Sequence, residues 1–132
     1  MQRTLDTNIC SYILRRRPEA MIERFAALNP DQVWLSAVVA AELRFSAAKL
    51  GAAKFAAAIE AWLAGFDLRA WPLEATYHYA QVRAALERQG RPIGNMDLMI
   101  AAHALAEDSV IITNNAREFE RVPGLAVETW FS

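Results

Sequence analysis

The sequence predicts an α/β fold: a parallel central sheet flanked by helices on both faces, in a single domain over residues 1–132. Three observations lead there. Short β-favouring runs alternate with longer stretches of helical periodicity, the order expected of strands joined by helical crossovers. "SVIIT" (Ser109–Thr113) has an apolar centre, as a strand buried on both faces of a parallel sheet should. The length of 132 residues, 55% hydrophobic and 22% charged, suits one domain with a substantial core. No repeat or linker interrupts it.

The elements follow in order. Arg3–Leu5 reads as a short first strand. Ile9, Tyr12 and Ile13 then keep helical spacing. Pro18 opens a second helix whose apolar side is Met21, Ile22, Phe25 and Leu28. "VWLSA" (Val33–Ala37) is a strand of β-favouring residues. A helix over Val38–Leu50 is stopped by Gly51, and an alanine-rich helix over Ala52–Ala64 by Gly65. Asp67–Trp71 reads as a strand, and Pro72 precedes a helix over Glu74–Gln89 with Tyr79, Val82 and Leu86 on one side. "GRP" breaks the chain, and Asn95 is a natural cap for a helix reaching Glu107. The strand at Ser109–Thr113 comes next, and "LAVETW" (Leu125–Trp130) is the last strand.

Composition narrows the setting. No apolar run approaches the ~20 residues that cross a bilayer, so no membrane partner is expected. The first residues lack a basic segment followed by an apolar one, and no signal peptide is visible. Cys10 is the only cysteine, so an internal disulfide is impossible and a reducing cytoplasm is the simplest location. The formal net charge is -1, whereas a protein gripping phosphate backbones everywhere is strongly basic. Any nucleic-acid contact must therefore come from local patches. Arg15, Arg16 and Arg17 form one candidate, with a solvated turn after a helix as the alternative. Arg69, Arg83, Arg88 and Arg91 are scattered others.

In parallel sheets, ligands bind beyond the carboxyl ends of the strands. Asp6 follows the first strand there, and Asn114 and Asn115 follow "VIIT" in the same way. Two further acids have unusual surroundings. Glu42 lies one helical turn after the second strand, with Val38, Val39, Phe45 and Ser46 three and four residues away. An ordinary surface glutamate has more polar neighbours, although Glu42 could also reach water past Arg44. Asp97 opens a helix that is apolar all round, with Met96, Leu98, Met99, Ile100 and Leu105. An acid in a first turn complements the helix dipole, so a structural role competes with a functional one.

Three carboxylates converging on one crevice repel one another unless a cation sits between them. Hard oxygen donors without Cys or His suit Mg²⁺ or Mn²⁺, not Zn²⁺. His78 and His103 are far apart, lack the spacing of a zinc helix, and read as structural. Cys10 has no evident histidine partner and reads as a packed thiol. No phosphate-binding glycine loop occurs.

"LDTN", "LSAVVAAELRFSAAK", "GRPIGNMDLMIAAHALA" and "VIITNNAREFERVPGLAVETW" occur in this order over nearly the whole chain. Together they resemble the PIN-domain ribonucleases, specifically the VapC toxins of bacterial toxin–antitoxin pairs. The resemblance implies a parallel sheet between helices, Mg²⁺-dependent endonucleolytic cleavage of RNA, and in-line attack leaving a 5′-phosphate and a 3′-hydroxyl. It implies Asp6, Glu42 and Asp97 as catalytic acids and metal ligands, with Glu42 completing the cluster or acting as general base. Many PIN domains carry an aspartate just after the threonine that ends the fourth strand. Here Asn114 and Asn115 follow Thr113, so Glu118 is the substitute acid, with Asn8, Thr113, Asn114 and Asn115 as supporting polar groups. The implied substrate is a structured RNA such as a tRNA, cut in its anticodon stem-loop so that translation stops. The implied partners are a second copy of the chain and a cognate antitoxin that lays a helix into an apolar groove and inhibits the enzyme. The apolar residues of Ile9–Leu14 and of the helices over Val38–Phe66 are the expected groove and dimer face, with a dense core as the alternative.

Two rivals remain on sequence grounds. A non-catalytic binding module would retain the fold without the missing fourth aspartate. A Mg²⁺-dependent phosphotransfer domain also ends its first strand with acids. The phosphatase type wants Asp-x-Asp where this chain has Asp6-Thr7-Asn8, and the receiver type wants a lysine that does not follow "VIIT".

Overall fold

The computed structural model describes residues 1–130; positions 131–132 of the expected domain lie outside the described residues. Five strands form one parallel sheet: β1 (Arg3–Leu5), β2 (Val33–Ser36), β3 (Asp67–Arg69), β4 (Val110–Ile112) and β5 (Val127–Glu128), in spatial order β3-β2-β1-β4-β5. The helices are α1 (Thr7–Arg16), α2 (Glu19–Ala26), α3 (Ala37–Leu50), α4 (Ala53–Ala64), α5 (Ala75–Arg88), α6 (Asn95–Ala106) and α7 (Ala116–Phe119). Successive residues of a strand face opposite sides of the sheet. Trp34 and Leu35 are both fully buried, as are Ile111 and Ile112, so both faces are covered.

The chain leaves β1 towards β2 and β3 on one side, then returns to β4 and β5 on the other. The order reverses between β1 and β4, and a crevice opens at such a switch point beyond the strand ends. Leu5 is in register with Ile112. The next residues of the two strands, Asp6 and Thr113, therefore emerge side by side.

Local chemistry sets the boundaries. Ser36 ends β2 and caps α3, its hydroxyl accepting from the Val38 N–H at 3.1 Å. The second strand is thus one residue shorter than its β-favouring run, and the helix begins one residue earlier. Gly51 ends α3 at φ 66°, where a side chain would be strained. Asn95 does not cap α6: it is the first helical residue, and Gly94 holds the cap position with no side-chain bond. β3 and β5 are shorter than the strands expected over Asp67–Trp71 and Leu125–Trp130. Two short elements carried no periodic signal: the single-turn α7 and a 3₁₀ turn at Pro30–Gln32.

The apolar residues divide differently from expectation. Ile9, Cys10 and Ile13 of α1 are buried in the core, so that part of the expected groove is interior. On α3, Phe45 and Leu50 are 64% and 60% exposed, leaving that helix with an apolar outer side. Met96 is 50% exposed, so α6 is not buried all round.

A polar cluster ties the sheet to α6. His103 is fully buried, with Nδ1 2.8 Å from the Ser36 hydroxyl and its ring 4.4 Å from the Trp34 ring. Trp34 donates from Nε1 to the Ser109 hydroxyl at 2.8 Å, and Arg69 lies over its ring at 5.0 Å. His103 is therefore structural, as its sequence position suggested. His103→Ala leaves a cavity and takes one of its two partners from the Ser36 hydroxyl, and should lower unfolding free energy by about 2–4 kcal/mol in a denaturant titration. Burial holds the His103 pKa below its ordinary value. The unfolded chain then binds the proton more readily, so this contribution is present above pH ~6.5 and is lost as pH falls towards the folded pKa.

Candidate active site

The switch point brings together four acids from four elements. Asp6 is the N-cap of α1 and fully buried. Its Oδ1 accepts from the Ile9 N–H at 2.9 Å, and its Oδ2 accepts from the Thr113 hydroxyl at 2.6 Å. The Thr113 oxygen in turn accepts from the Asn115 N–H at 2.8 Å. One hydroxyl thus links the ends of β1 and β4 and the start of α7. Burial pushes the Asp6 pKa up to about 6, against the two hydrogen bonds, with smaller contributions from the charges of Glu118 and Glu42.

Glu42 stands one turn into α3, between buried Val38, Val39 and Leu43. Its Oε1 accepts from the Thr7 hydroxyl at 2.6 Å, which turns it towards the residue following Asp6. Sequence reasoning missed Thr7. Its adjacency to Asp6 was a signal, but only the crossing of α1 and α3 supplies its partner.

Asp97 lies in the first turn of α6, and its Oδ2 folds back to the Gly94 backbone: a Cβ built there would stand 3.8 Å away. Burial pushes its pKa up to about 8, helped by a hydrogen bond to Glu118 and then by the charges of Glu118, Asp6 and Glu42. After burial, Glu118 is thus the neighbour that most favours the protonated form of Asp97. Glu118 is placed by α7. It accepts from the Gly94 N–H at 3.1 Å through Oε1 and from the Asn115 amide at 2.6 Å through Oε2. The fourth acidic position is therefore filled from one turn beyond Thr113, with Asn115 holding the carboxylate in place. Asn8 and Asn114 sit at the edge, lining an open concavity beside α1.

Donor chemistry and present arrangement answer the question of a metal differently. Among the described residues, no three acidic, histidine or cysteine side chains are placed to hold one ion together. The reason is visible: Asp6, Glu42 and Glu118 are each turned onto hydrogen-bond donors of the protein. Yet the donors are all oxygen, Glu118 and Glu42 add to the burial that raises the pKa values of Asp6 and Asp97, and neither histidine joins them. By its donor chemistry such a set would suit a hard divalent cation. The Cys10 thiol is buried beside Asp6, and burial raises its pKa, so it is a packed, unreactive group.

Comparison with known proteins places the chain in a family. The PIN domain family model matches residues 4–125. The chain is 39% identical over 127 residues to the tRNA(fMet)-specific endonuclease VapC of Salmonella typhimurium, and 42% identical to the protein of that name from Shigella flexneri, covering 96% of each chain in both cases. In structure it is similar to DNA-bound VapBC from Salmonella typhimurium, with a TM-score of 0.92 at 37% identity over 98% of both chains. VapBC2 from Rickettsia felis, bound to a promoter DNA fragment, gives a TM-score of 0.90 at 31% identity, over 98% of this chain and 99% of that one. With its acids gathered at the switch point of a five-stranded parallel sheet, and with relatives this similar along their whole length, the chain belongs to the PIN-domain family and, within it, to the VapC ribonucleases.

Proposed function

We propose that the chain is the toxin of a VapBC-type pair: a Mg²⁺-dependent endoribonuclease that cuts a structured RNA, a tRNA in its anticodon stem-loop, and so stops translation. The observation that carries this is the convergence of Asp6, Glu42, Asp97 and Glu118 on one strand-end crevice, where burial and then the neighbouring carboxylates raise the Asp97 pKa. Four acids that destabilise one another need a positive partner, and a phosphodiester brings none.

Asp6 and Asp97 would hold the cation, with Glu42 completing its ligand set. Mg²⁺ or Mn²⁺, when bound, supplies Lewis-acid stabilisation of the scissile phosphate and activation of water. Thr113 fixes the Asp6 carboxylate, so that its Oδ1 stays on the α1 cap and its Oδ2 borders the crevice. Thr7 aims Glu42 at the same space, where a carboxylate released from that hydroxyl can accept a proton from attacking water. Asn115 and the Gly94 N–H keep Glu118 from turning away. The names of the Salmonella and Shigella relatives support a tRNA substrate. The VapBC structures support an antitoxin partner. Exposed Phe45 and Leu50 support a homodimer through α3.

The test is incubation of the antitoxin-free chain with unfractionated tRNA, with Mg²⁺ and with EDTA. Discrete fragments that require Mg²⁺ and are absent with Asp6→Asn are expected. Absence of both cleavage and Mg²⁺ binding would favour a non-catalytic binding module.

A further inference from the structure

α1 carries more than the cap of the acid cluster. Asn8, Ser11, Tyr12, Arg15 and Arg16 follow one another at the spacing of a single helical face, opposite buried Ile9, Cys10 and Ile13. With Asn114 they line an open concavity of about 330 Å³. It begins at the acids: Asn8 is two residues beyond Asp6, and Asn114 adjoins the Thr113 hydroxyl that binds Asp6. It ends at two guanidinium groups. From Asn8 to Arg16 is about 12 Å along the helix axis, the span of a few nucleotides.

The arginines are the telling part. Arg3, Arg44, Arg69 and Arg83 are each paired with a carboxylate; Arg15 and Arg16 are among the arginines without a carboxylate partner in the described residues, and they are the two that line this concavity. Arg15 is instead held 5.1 Å over the Phe55 ring, a contact that orients its charge without neutralising it. Both are exposed. A chain of net charge -1 thus keeps two unneutralised guanidinium groups beside a crevice of four acids. Between them lie side-chain amides and a hydroxyl, which match base edges and the 2′-hydroxyl, and the half-buried ring of Tyr12. Guanidinium groups alone would suit an acidic peptide; the amides and the ring favour nucleotides.

We propose that this face of α1, with Asn114, holds a single-stranded segment of RNA on one side of the scissile phosphate, Arg15 and Arg16 each contacting a phosphate. The inference rests on the nuclease reading, and its test is independent of cutting. Binding of a 5′-labelled single-stranded RNA is measured by fluorescence anisotropy in EDTA across a salt series. The proteins are the antitoxin-free chain, Arg15→Gln/Arg16→Gln, Asn114→Asp and, as control, Lys49→Gln. The double variant should raise Kd at least roughly tenfold and lower the slope of log Kd against log salt by about 1.4, the value for two phosphates on a single strand. Asn114→Asp should also weaken binding, and Lys49→Gln should leave it unchanged. Unaltered Kd and slope in the double variant would overturn the proposal, even if the chain cuts RNA. So would loss of polyglutamate binding with RNA binding intact, which would assign the face to an acidic protein. Arginine-dependent binding without any Mg²⁺-dependent cleavage would uphold this surface and sink the nuclease reading instead.

Discussion

Asp97→Asn is expected to lower Mg²⁺-dependent RNA cleavage by roughly 10²–10³-fold while the protein stays folded. The substitution is isosteric and lies in the first turn of α6, where Asn95–Ala106 is otherwise held by its buried apolar residues. It removes an acid that burial, and then Glu118, Asp6 and Glu42, make costly to ionise in the folded chain. Stability in EDTA at neutral pH should therefore stay level or rise, even as activity falls. That opposite movement separates a functional acid from a structural one. An Asp97 present only to complement the helix dipole would, on substitution, cost stability and leave cleavage intact. Rates on a defined tRNA substrate, with thermal melts in EDTA, decide between them.

The second large effect is a divalent-cation stabilisation that depends on pH. Asp6 is raised to about 6 and Asp97 to about 8, from an unperturbed 3.8 for both. Between about pH 4 and pH 8 the folded chain therefore holds protons that the unfolded chain has released. Unfolding free energy then falls as pH rises through this window, because the folded state binds more protons. For buried Asp6 the full effect corresponds to about 3 kcal/mol once pH exceeds the folded pKa. A cation that displaces those protons recovers the loss. The difference in Tm between Mg²⁺ and EDTA should be small at pH 5 and grow to several degrees by pH 8. Glu118→Gln removes the charge that helps hold Asp97 protonated and leaves only a neutral acceptor for its hydrogen bond, so the rise should move to lower pH. An equal Mg²⁺ shift at pH 5 and pH 8 would refute the assignment of these acids to a cation.

The sequence determined much of this. Alternation of short β-favouring runs with helical periods was enough for the parallel sheet, because strands covered on both faces must be apolar and their crossovers must be amphipathic. Asp6 stood out by its place at the carboxyl end of the first strand, and Glu42 and Asp97 because a carboxylate among apolar neighbours costs energy that an ordinary surface acid does not. Gly51 marked its helix end because only glycine enters the left-handed conformation there without strain.

Other features depended on tertiary structure. The one-turn α7 is too short for a periodic signal, yet it sets Glu118 beside Asp97 and places Asn115 as its support. Asn95 resembled a cap, but the chain turned at Gly94, whose N–H binds a carboxylate 24 residues away. Thr7 finds Glu42 at a separation of 35 residues, Thr113 finds Asp6 at 107, and His103 finds Ser36 at 67. Hydrogen bonds of this kind have no local signature: each depends on the direction in which two distant elements cross. The sequence alone determined which acids were costly to bury; the strand order β3-β2-β1-β4-β5, by reversing between β1 and β4, decided that they would meet.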